Sequence, residues 1–206
     1  MKVKYLGHAC FFLQFDKYSF VIDPFGDIGY QQDFVKADYC LTTHEHFDHA
    51  TLTRTEFKYL IDKNSKEFPN FLKVIPSYHD EVLGAKRGIN NVYVIDLDGM
   101  RVCHLGDIGQ NFDLQFCKKL GKIDVIFVPV GGKYTIDSKT AKEYVTAINP
   151  KIVIPMHYKT KSSSIDVATK NEFLSFYKNT LKVLQTFEIS SLPQEMVVYN
   201  VDDSNF

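Results

Sequence analysis

Apolar, β-branched and aromatic residues dominate positions 3–15 and again 19–22, with Asp16-Lys17 between them, a pattern that predicts an opening strand pair. A short apolar run at 38–43 predicts a buried strand. Residues 51–62 then place Leu52, Phe57, Leu60 and Ile61 on or near one helical face, which predicts a helix. Residues 63–70 are polar and end at Phe68-Pro69, the composition of a loop, before a strand over 71–76. The runs 92–97 and 100–105 flank Asp98-Gly99, the dipeptide of a two-residue hairpin turn. Beyond the hairpin, helix and strand patterns alternate. A helix over 113–120 is stopped by Gly121, and a buried strand covers 123–130. The stripe Ala141, Tyr144, Val145 and Ile148 marks a second helix, ended by Asn149-Pro150, and a strand over 152–155 follows. Ser163 with Asp166 fits a capping box opening a helix to about residue 179, and 182–187 and 195–201 read as edge strands. This alternation supports an α/β or α+β class in a single domain over residues 1–206, with no repeat of solenoid period.

Composition narrows the class of partner. A chain of 206 residues buries roughly 70% of its unfolded surface on folding, and 45% hydrophobic with 24% charged residues is ordinary globular usage. The net charge of −1 offers no global attraction to nucleic acid or to anionic lipid, so neither is an expected partner. Any acidic substrate must be drawn in locally. Cys10, Cys40, Cys103 and Cys117 lie far apart without a CxxC pair, and Met1-Lys2 runs directly into strand-like sequence with no signal peptide or membrane span. Buried, reduced thiols in the cytoplasm are the expectation.

The chemistry concentrates in Thr43-His44-Glu45-His46-Phe47-Asp48-His49, at the exit of the predicted 38–43 strand. Imidazole nitrogen and carboxylate oxygen are donors for divalent ions, and a stretch this dense in both can hold two ions close together with an activated water between them. Alternation along an extended segment points His44 and His46 the same way, while Asp48 and His49 fall where the chain turns into the following helix. The helical zinc motif HExxH is excluded, because it needs histidines four apart and the residue four beyond His44 is Asp48.

The string HEHFDH resembles the HxHxDH motif of the metallo-β-lactamase superfamily, which includes lactonases, phosphodiesterases, ribonuclease Z and glyoxalase-type thioesterases. Tyr5-Leu6-Gly7-His8-Ala9-Cys10-Phe11, Ile22-Asp23-Pro24-Phe25, Gly106-Asp107, the run from Pro129 through Gly131-Gly132-Lys133-Tyr134 to Asp137, and Ile154-Pro155-Met156-His157-Tyr158 follow in matching order. They resemble a bacterial subgroup of small metal-dependent hydrolases related to ascorbate-6-phosphate lactonase. The resemblance implies a four-layer αβ/βα sandwich with two divalent ions, zinc first and manganese or iron as alternatives. It assigns His44, His46 and a later histidine to one ion, Asp48, His49 and His157 to the other, and Asp107 to the bridge between them. It also implies that Asp23 orients the histidine loop by hydrogen bonding; the alternative for Asp23 is a plain strand-end turn before Pro24. Ile108 departs from the Thr or Ser that commonly follows the bridging aspartate in the subgroup.

The later histidine is His79, in Ser77-Tyr78-His79-Asp80 after the 71–76 strand, or His104. Alternation puts His104 on the face opposite Cys103, Leu105 and Asp107, which favours His79 as ligand and leaves His104 packed or supporting. His8 is either a core histidine or one that supports the ligands or faces substrate, with the second reading favoured. Lys133, Tyr134 and Tyr158 are candidates for contacting substrate, although Lys133 also reads as a solvated charge. Four metal charges less Asp48, Asp107 and a bridging hydroxide leave a centre of net charge about +1, so the expected substrate is an anionic small molecule with a lactone, phosphodiester, thioester or amide bond. Asp48 and Asp107 are the expected catalytic carboxylates. The rival readings are a metal-binding protein without turnover and a redox di-iron protein, which in that superfamily carries glutamate where this chain has His46. Oligomeric state is left open by the sequence.

Overall fold

The computed structural model describes residues 1–204 and 206. The opening apolar run forms two strands rather than one, β1 (Lys2–Gly7) and β2 (Cys10–Gln14), because Gly7 at φ 113° and His8 at φ 57° reverse the chain between them. β3 (Ser19–Ile22) returns antiparallel to β2, and β4 (Val35–Leu41) lies parallel to β3.

Residues 51–62, expected as a helix, instead deliver a strand, β5 (Thr55–Ile61), parallel to β4. Glu56 and Lys58 alternate with Thr55, Phe57 and Tyr59, and the period of two wins over the helix-like spacing of Leu52, Phe57, Leu60 and Ile61. Cross-strand charges match the register: Lys36 pairs with Glu56 at 2.8 Å and Lys58 with Asp38 at 2.7 Å.

β6 (Leu72–Tyr78), β7 (Ile89–Leu97) and β8 (Met100–His104) follow as antiparallel neighbours, and Asp98 and Gly99, both at positive φ, make the expected tight turn between the last two. The helix α1 (Leu114–Leu120) is capped by the Asp113 carboxylate at its start and ends at Gly121. β9 (Val125–Pro129), α2 (Ser138–Ile148) and β10 (Ile152–Met156) complete a parallel run, with α2 ending at Asn149 in the left-handed conformation.

Two expectations near the carboxyl end change. The helix predicted over 163–179 is reduced to α3 (Asn171–Ser175). The Ser163 hydroxyl accepts from the nearby amide of Ile165, and the Asp166 carboxylate is held by Lys133, so neither caps a helix. The 182–187 run divides into β11 (Thr180–Val183) and β12 (Thr186–Glu188), which edge different sheets, while β13 (Val197–Val201) is an interior strand paired on both sides.

The first sheet runs β12-β1-β2-β3-β4-β5 and the second β11-β13-β10-β9-β8-β7-β6. Alternate residues of the first sheet, among them Tyr5, Phe11, Phe20 and Leu41, face the second sheet and form the main core with Val92, Val102 and Phe127. The rings of Phe11 and Phe127 meet across the layers at 4.4 Å. The other face carries Leu6, Cys10, Val21 and Cys40, covered by Phe25, Ile28 and Tyr30 of the segment between β3 and β4. α2 packs against β9 of the second sheet, and α1 and α3 pack against α2. All four cysteines are buried and free, and among the described residues no helix is long and apolar enough to cross a membrane.

Polar bonds stitch the two sheets at one end. The Tyr93 hydroxyl donates to the Thr42 carbonyl at 2.7 Å, the Asn91 amide to Thr43 O at 2.8 Å and the His157 amide to His8 O at 2.9 Å. Tyr93→Phe should therefore destabilise the metal-free protein by about 1–3 kcal/mol, because it strips a buried carbonyl of its donor. Urea unfolding of both proteins without metal checks this, and an unchanged midpoint would remove the stitch from the account.

Candidate metal centre

The candidate ligands and the groups that hold them sit just past the carboxyl ends of strands: His8 after β1, Asp23 after β3, the 44–49 cluster after β4, His79 after β6, Asp107 after β8 and His157 after β10. Those six ends converge at the stitched edge of the sandwich, the usual place for sites in α/β sheets. The 44–49 stretch enters no helix. It folds back in a turn in which the amides of His49 and Ala50 both donate to the His46 carbonyl, at 2.9 and 3.0 Å. Asp23 clamps that turn: one oxygen accepts the Thr43 amide at 2.7 Å, the other the Thr43 hydroxyl at 2.8 Å and His49 Nδ1 at 2.9 Å. The last bond commits His49 Nδ1 to donation and leaves Nε2 free to bind a cation. His8, Asp23 and His157 all adopt positive φ, at 57°, 52° and 51°, so the site holds backbone strain where its side chains must point inward.

Asp107 is the hub. Its Oδ2 lies 3.1 Å from His157 Nε2, 3.2 Å from His49 Nε2, 3.5 Å from His79 Nε2 and 4.0 Å from His44 Nε2. Three overlapping groups have ligand atoms within 4.8 Å of one another: His44 with His46 and His79; His8 with Asp48, His49 and His157; and His44 with His49 and Asp107. The ring nitrogens His44 Nε2, His49 Nε2 and both of His157 are buried without a hydrogen-bond partner, as is Asp107 Oδ1. Buried polar atoms are normally paired, and a convergent set of unpaired imidazole and carboxylate donors fits one or more divalent cations. Burial, aided by the charge of His49, holds the His44 imidazolium well below its usual range, and burial also lowers His79, so both rings present neutral lone pairs. Burial works against the Asp107 carboxylate, but His157 and His49 outweigh it and keep its pKa well below the ordinary value. For His49 burial is outweighed by Asp107 and Asp23, which raise it.

Comparison with known proteins decides the family. Residues 2–157 match the family model for the beta-lactamase superfamily domain. A UPF0173 metal-dependent hydrolase of Pyrococcus abyssi is 31% identical over 194 residues, covering 78% of this chain and 85% of that protein. The chain belongs to the β-lactamase superfamily, among its metal-dependent hydrolases. A solved structure from Thermotoga maritima, described as a Zn-dependent hydrolase of the metallo-β-lactamase superfamily, is 33% identical with a TM-score of 0.80, covering 98% of this chain and 99% of its own. A metal-dependent hydrolase structure from Parabacteroides distasonis is 26% identical with a TM-score of 0.62, covering 77% and 83%. The α+β sandwich of two mixed sheets is thus the metallo-β-lactamase fold.

In this hydrolase the remaining sequence candidates separate. His104 is 1% exposed, with Nε2 on the Ala9 carbonyl at 2.9 Å and Nδ1 accepting the Gly106 amide at 3.1 Å, so both nitrogens are used and neither faces the ligand cluster. His8 is fully buried, both its nitrogens lack a hydrogen-bond partner, and Nε2 lies 3.3 Å from Asp48 Oδ2. Burial and the neighbouring His157 bring its pKa down to about 4. Lys133 is turned to the surface and paired with Asp166, whereas Tyr134 lines a cavity of about 440 Å³ over His46, Asp48, His79 and Asp107. Tyr158 does not reach that cavity. It is 1% exposed in the core near Tyr5, its hydroxyl beside Lys170 Nζ at 3.3 Å, because the chain at His157 turns only one of two successive side chains toward the ligands. Ile108, at the position where the subgroup carries a hydroxyl, is fully buried in the main core.

Asn90 and Arg87 were not legible from sequence. Asn90 is fully buried, accepts the Asp107 amide on Oδ1 at 2.8 Å and donates to the Leu105 carbonyl at 2.8 Å, which holds the turn that presents Asp107. A Cβ on Gly106 would come within 2.3 Å of Asn90 Oδ1, so that turn requires glycine. Only burial distinguishes Asn90 from its exposed-looking neighbours in Ile89-Asn90-Asn91.

At matched free zinc, His79→Ala should lower the metal bound per chain in elemental analysis. His104→Ala should keep the wild-type stoichiometry and lose thermal stability instead, since it orphans the Ala9 carbonyl and the Gly106 amide. Metal loss in His104→Ala with none in His79→Ala would reverse the two roles.

Proposed function

We propose that this chain hydrolyses an ester-like, anionic small molecule, a lactone, phosphodiester or thioester, at a dinuclear centre. His44, His46 and His79 would hold one ion, Asp48, His49 and His157 the other, and Asp107 would bridge them. The observation that carries the reading is the position of Asp107 Oδ2, within 4.0 Å of histidine nitrogens from both groups. Zinc suits this imidazole-rich set best, with manganese or iron as alternatives. Two divalent ions held there would supply water ionised near neutral pH and a Lewis acid for the substrate oxygen.

The chain's own groups divide the remaining work. Asp48 is the ligating carboxylate most open to the cavity, with 15% of its side chain exposed. Burial alone would raise its pKa, but the His8 contact and the His49 charge prevail and keep it anionic, so the carboxylate can accept a hydrogen bond from the attacking water and orient it. His8, wedged between Asp48 and His157, holds that carboxylate in place. The buried free thiols accord with a reducing, cytoplasmic setting, and because both sheets contribute ligands we treat residues 1–206 as one catalytic domain.

Protein purified without chelator and reconstituted should carry close to two ions per chain by elemental analysis, since the donor set exceeds what one tetrahedral site uses. A panel of lactones, phosphodiesters and thioesters should show hydrolysis that disappears on chelation and returns with metal. Full occupancy without turnover on any of them would favour a metal-binding role. Asp107→Ala should lose metal and rate together, because two cations would then face each other without the bridging anion; retained metal and rate would dismiss the bridge. His8→Ala should weaken one ion by about 10- to 100-fold, the usual cost of removing a group that supports a ligand. Competition with a chromogenic chelator measures it, and equal affinities would leave His8 without a role in metal binding.

A further inference from the structure

The loop that delivers His79 also delivers a cation. The Asp80 carboxylate, 1% exposed, accepts four backbone amides: Val82 and Gly84 on one oxygen, at 2.9 and 2.8 Å, and Lys86 and Arg87 on the other, at 2.9 and 2.7 Å. The loop is closed by the His79 amide on the Gly88 carbonyl at 3.0 Å, and Gly84, at φ 82°, lets it pass close to Gly88. Arg87 is therefore tied through backbone bonds to the residue beside a candidate ligand, and its position relative to His79 is set by the fold.

Its side chain stands at the mouth of the site. Arg87 lines both the 440 Å³ cavity and an adjoining one of about 470 Å³, and His46 is common to the two. The guanidinium lies over the Tyr134 ring, 5.5 Å from its centroid, which orients the fork. Lys63, Lys86 and Lys133 nearby are each matched with a carboxylate, Glu45, Glu81 and Asp166 respectively. Arg87 makes no ion pair among the described residues. A planar, permanently charged fork is the side chain best suited to an oxyanion, binding carboxylate or phosphate through two parallel hydrogen bonds. The same cavity is walled by Phe47 and Ile165, and Phe47 is 61% exposed, which presents an apolar surface between the ligand cluster and solvent.

We propose that Arg87 is a specificity-determining residue that anchors an oxyanion of the substrate, so that the site takes molecules bearing a carboxylate or phosphate apart from the bond that is cleaved, joined to it by an apolar stretch lying along Phe47. The inference rests on the hydrolase reading above for the bond cleaved, but the anchoring itself is a binding property.

Calorimetric titration of the zinc-reconstituted protein with succinate, glutarate and adipate, each against its monocarboxylate counterpart butyrate, valerate or hexanoate, tests it without turnover. At one chain length or more the dicarboxylate should bind about 10-fold or more tightly than the monocarboxylate, the scale of a charge-assisted hydrogen bond. Arg87→Ala should erase that preference with metal content unchanged, and Arg87→Lys should keep only part of it, having charge without the fork. If Arg87→Ala sheds metal, Arg87→Gln and Arg87→Lys carry the comparison. No preference in the wild type at any length, or an undiminished preference in the variants, overturns the anchor. A preference without hydrolysis on any substrate would keep the anchor and sink the hydrolytic reading, and hydrolysis without a preference would do the reverse.

Discussion

A carboxylate buried with almost no solvent contact must find compensating charge or donors, and imidazoles converge on Asp107 Oδ2. That constraint organises the centre. Four histidines from three separate stretches of chain turn their Nε2 atoms toward one oxygen, and the unpaired nitrogens make up a donor set capable of binding a cation. The metal-free centre is thus a set of buried polar atoms short of partners, so cation binding to the folded protein should contribute to its stability as well as to its chemistry.

Supporting groups keep that geometry narrow. Asp23 fixes which nitrogen of His49 is free, Asn90 fixes the Asp107 turn, and His104 fills both of its bonds beneath that turn. Each is buried, and each acts on a candidate ligand through backbone or ring hydrogen bonds rather than by joining the convergent donor set itself. The strained residues His8, Asp23 and His157 fit the same pattern. A left-handed turn at the end of a strand lets a side chain point back over the sheet edge, and the paired sheets on either side hold the strain in place.

The outer rim follows a different physics. Around Arg87, Tyr134 and Phe47 the side chains are partly or largely exposed, while the backbone beneath them is pinned by Asp80 and by the Phe47 carbonyl bonds to Gly26 and Thr51. Rigid backbone carrying accessible side chains suits recognition, since less freedom is lost when a ligand binds.

Local chemistry alone determined the features that depend on a few neighbouring residues. The Asp98-Gly99 hairpin, the Asp113 cap and Gly121 stop of α1, the stripe of α2 and the density of donors at 44–49 could all be read from the chain, because turn geometry, capping and donor type are properties of short stretches. Residues 51–62 could not be assigned in that way. Their apolar spacing suits a helix and a strand alike, and only pairing with β4, with its Lys36–Glu56 and Lys58–Asp38 contacts, made them a strand. Ser163 and Asp166 were likewise drawn off by tertiary partners that a local capping pattern cannot include. The roles of Asn90 and Arg87 belong wholly to the tertiary structure. A polar side chain becomes structural or functional through what surrounds it, and burial, convergence and missing partners arise only when strands distant in sequence end at the same edge.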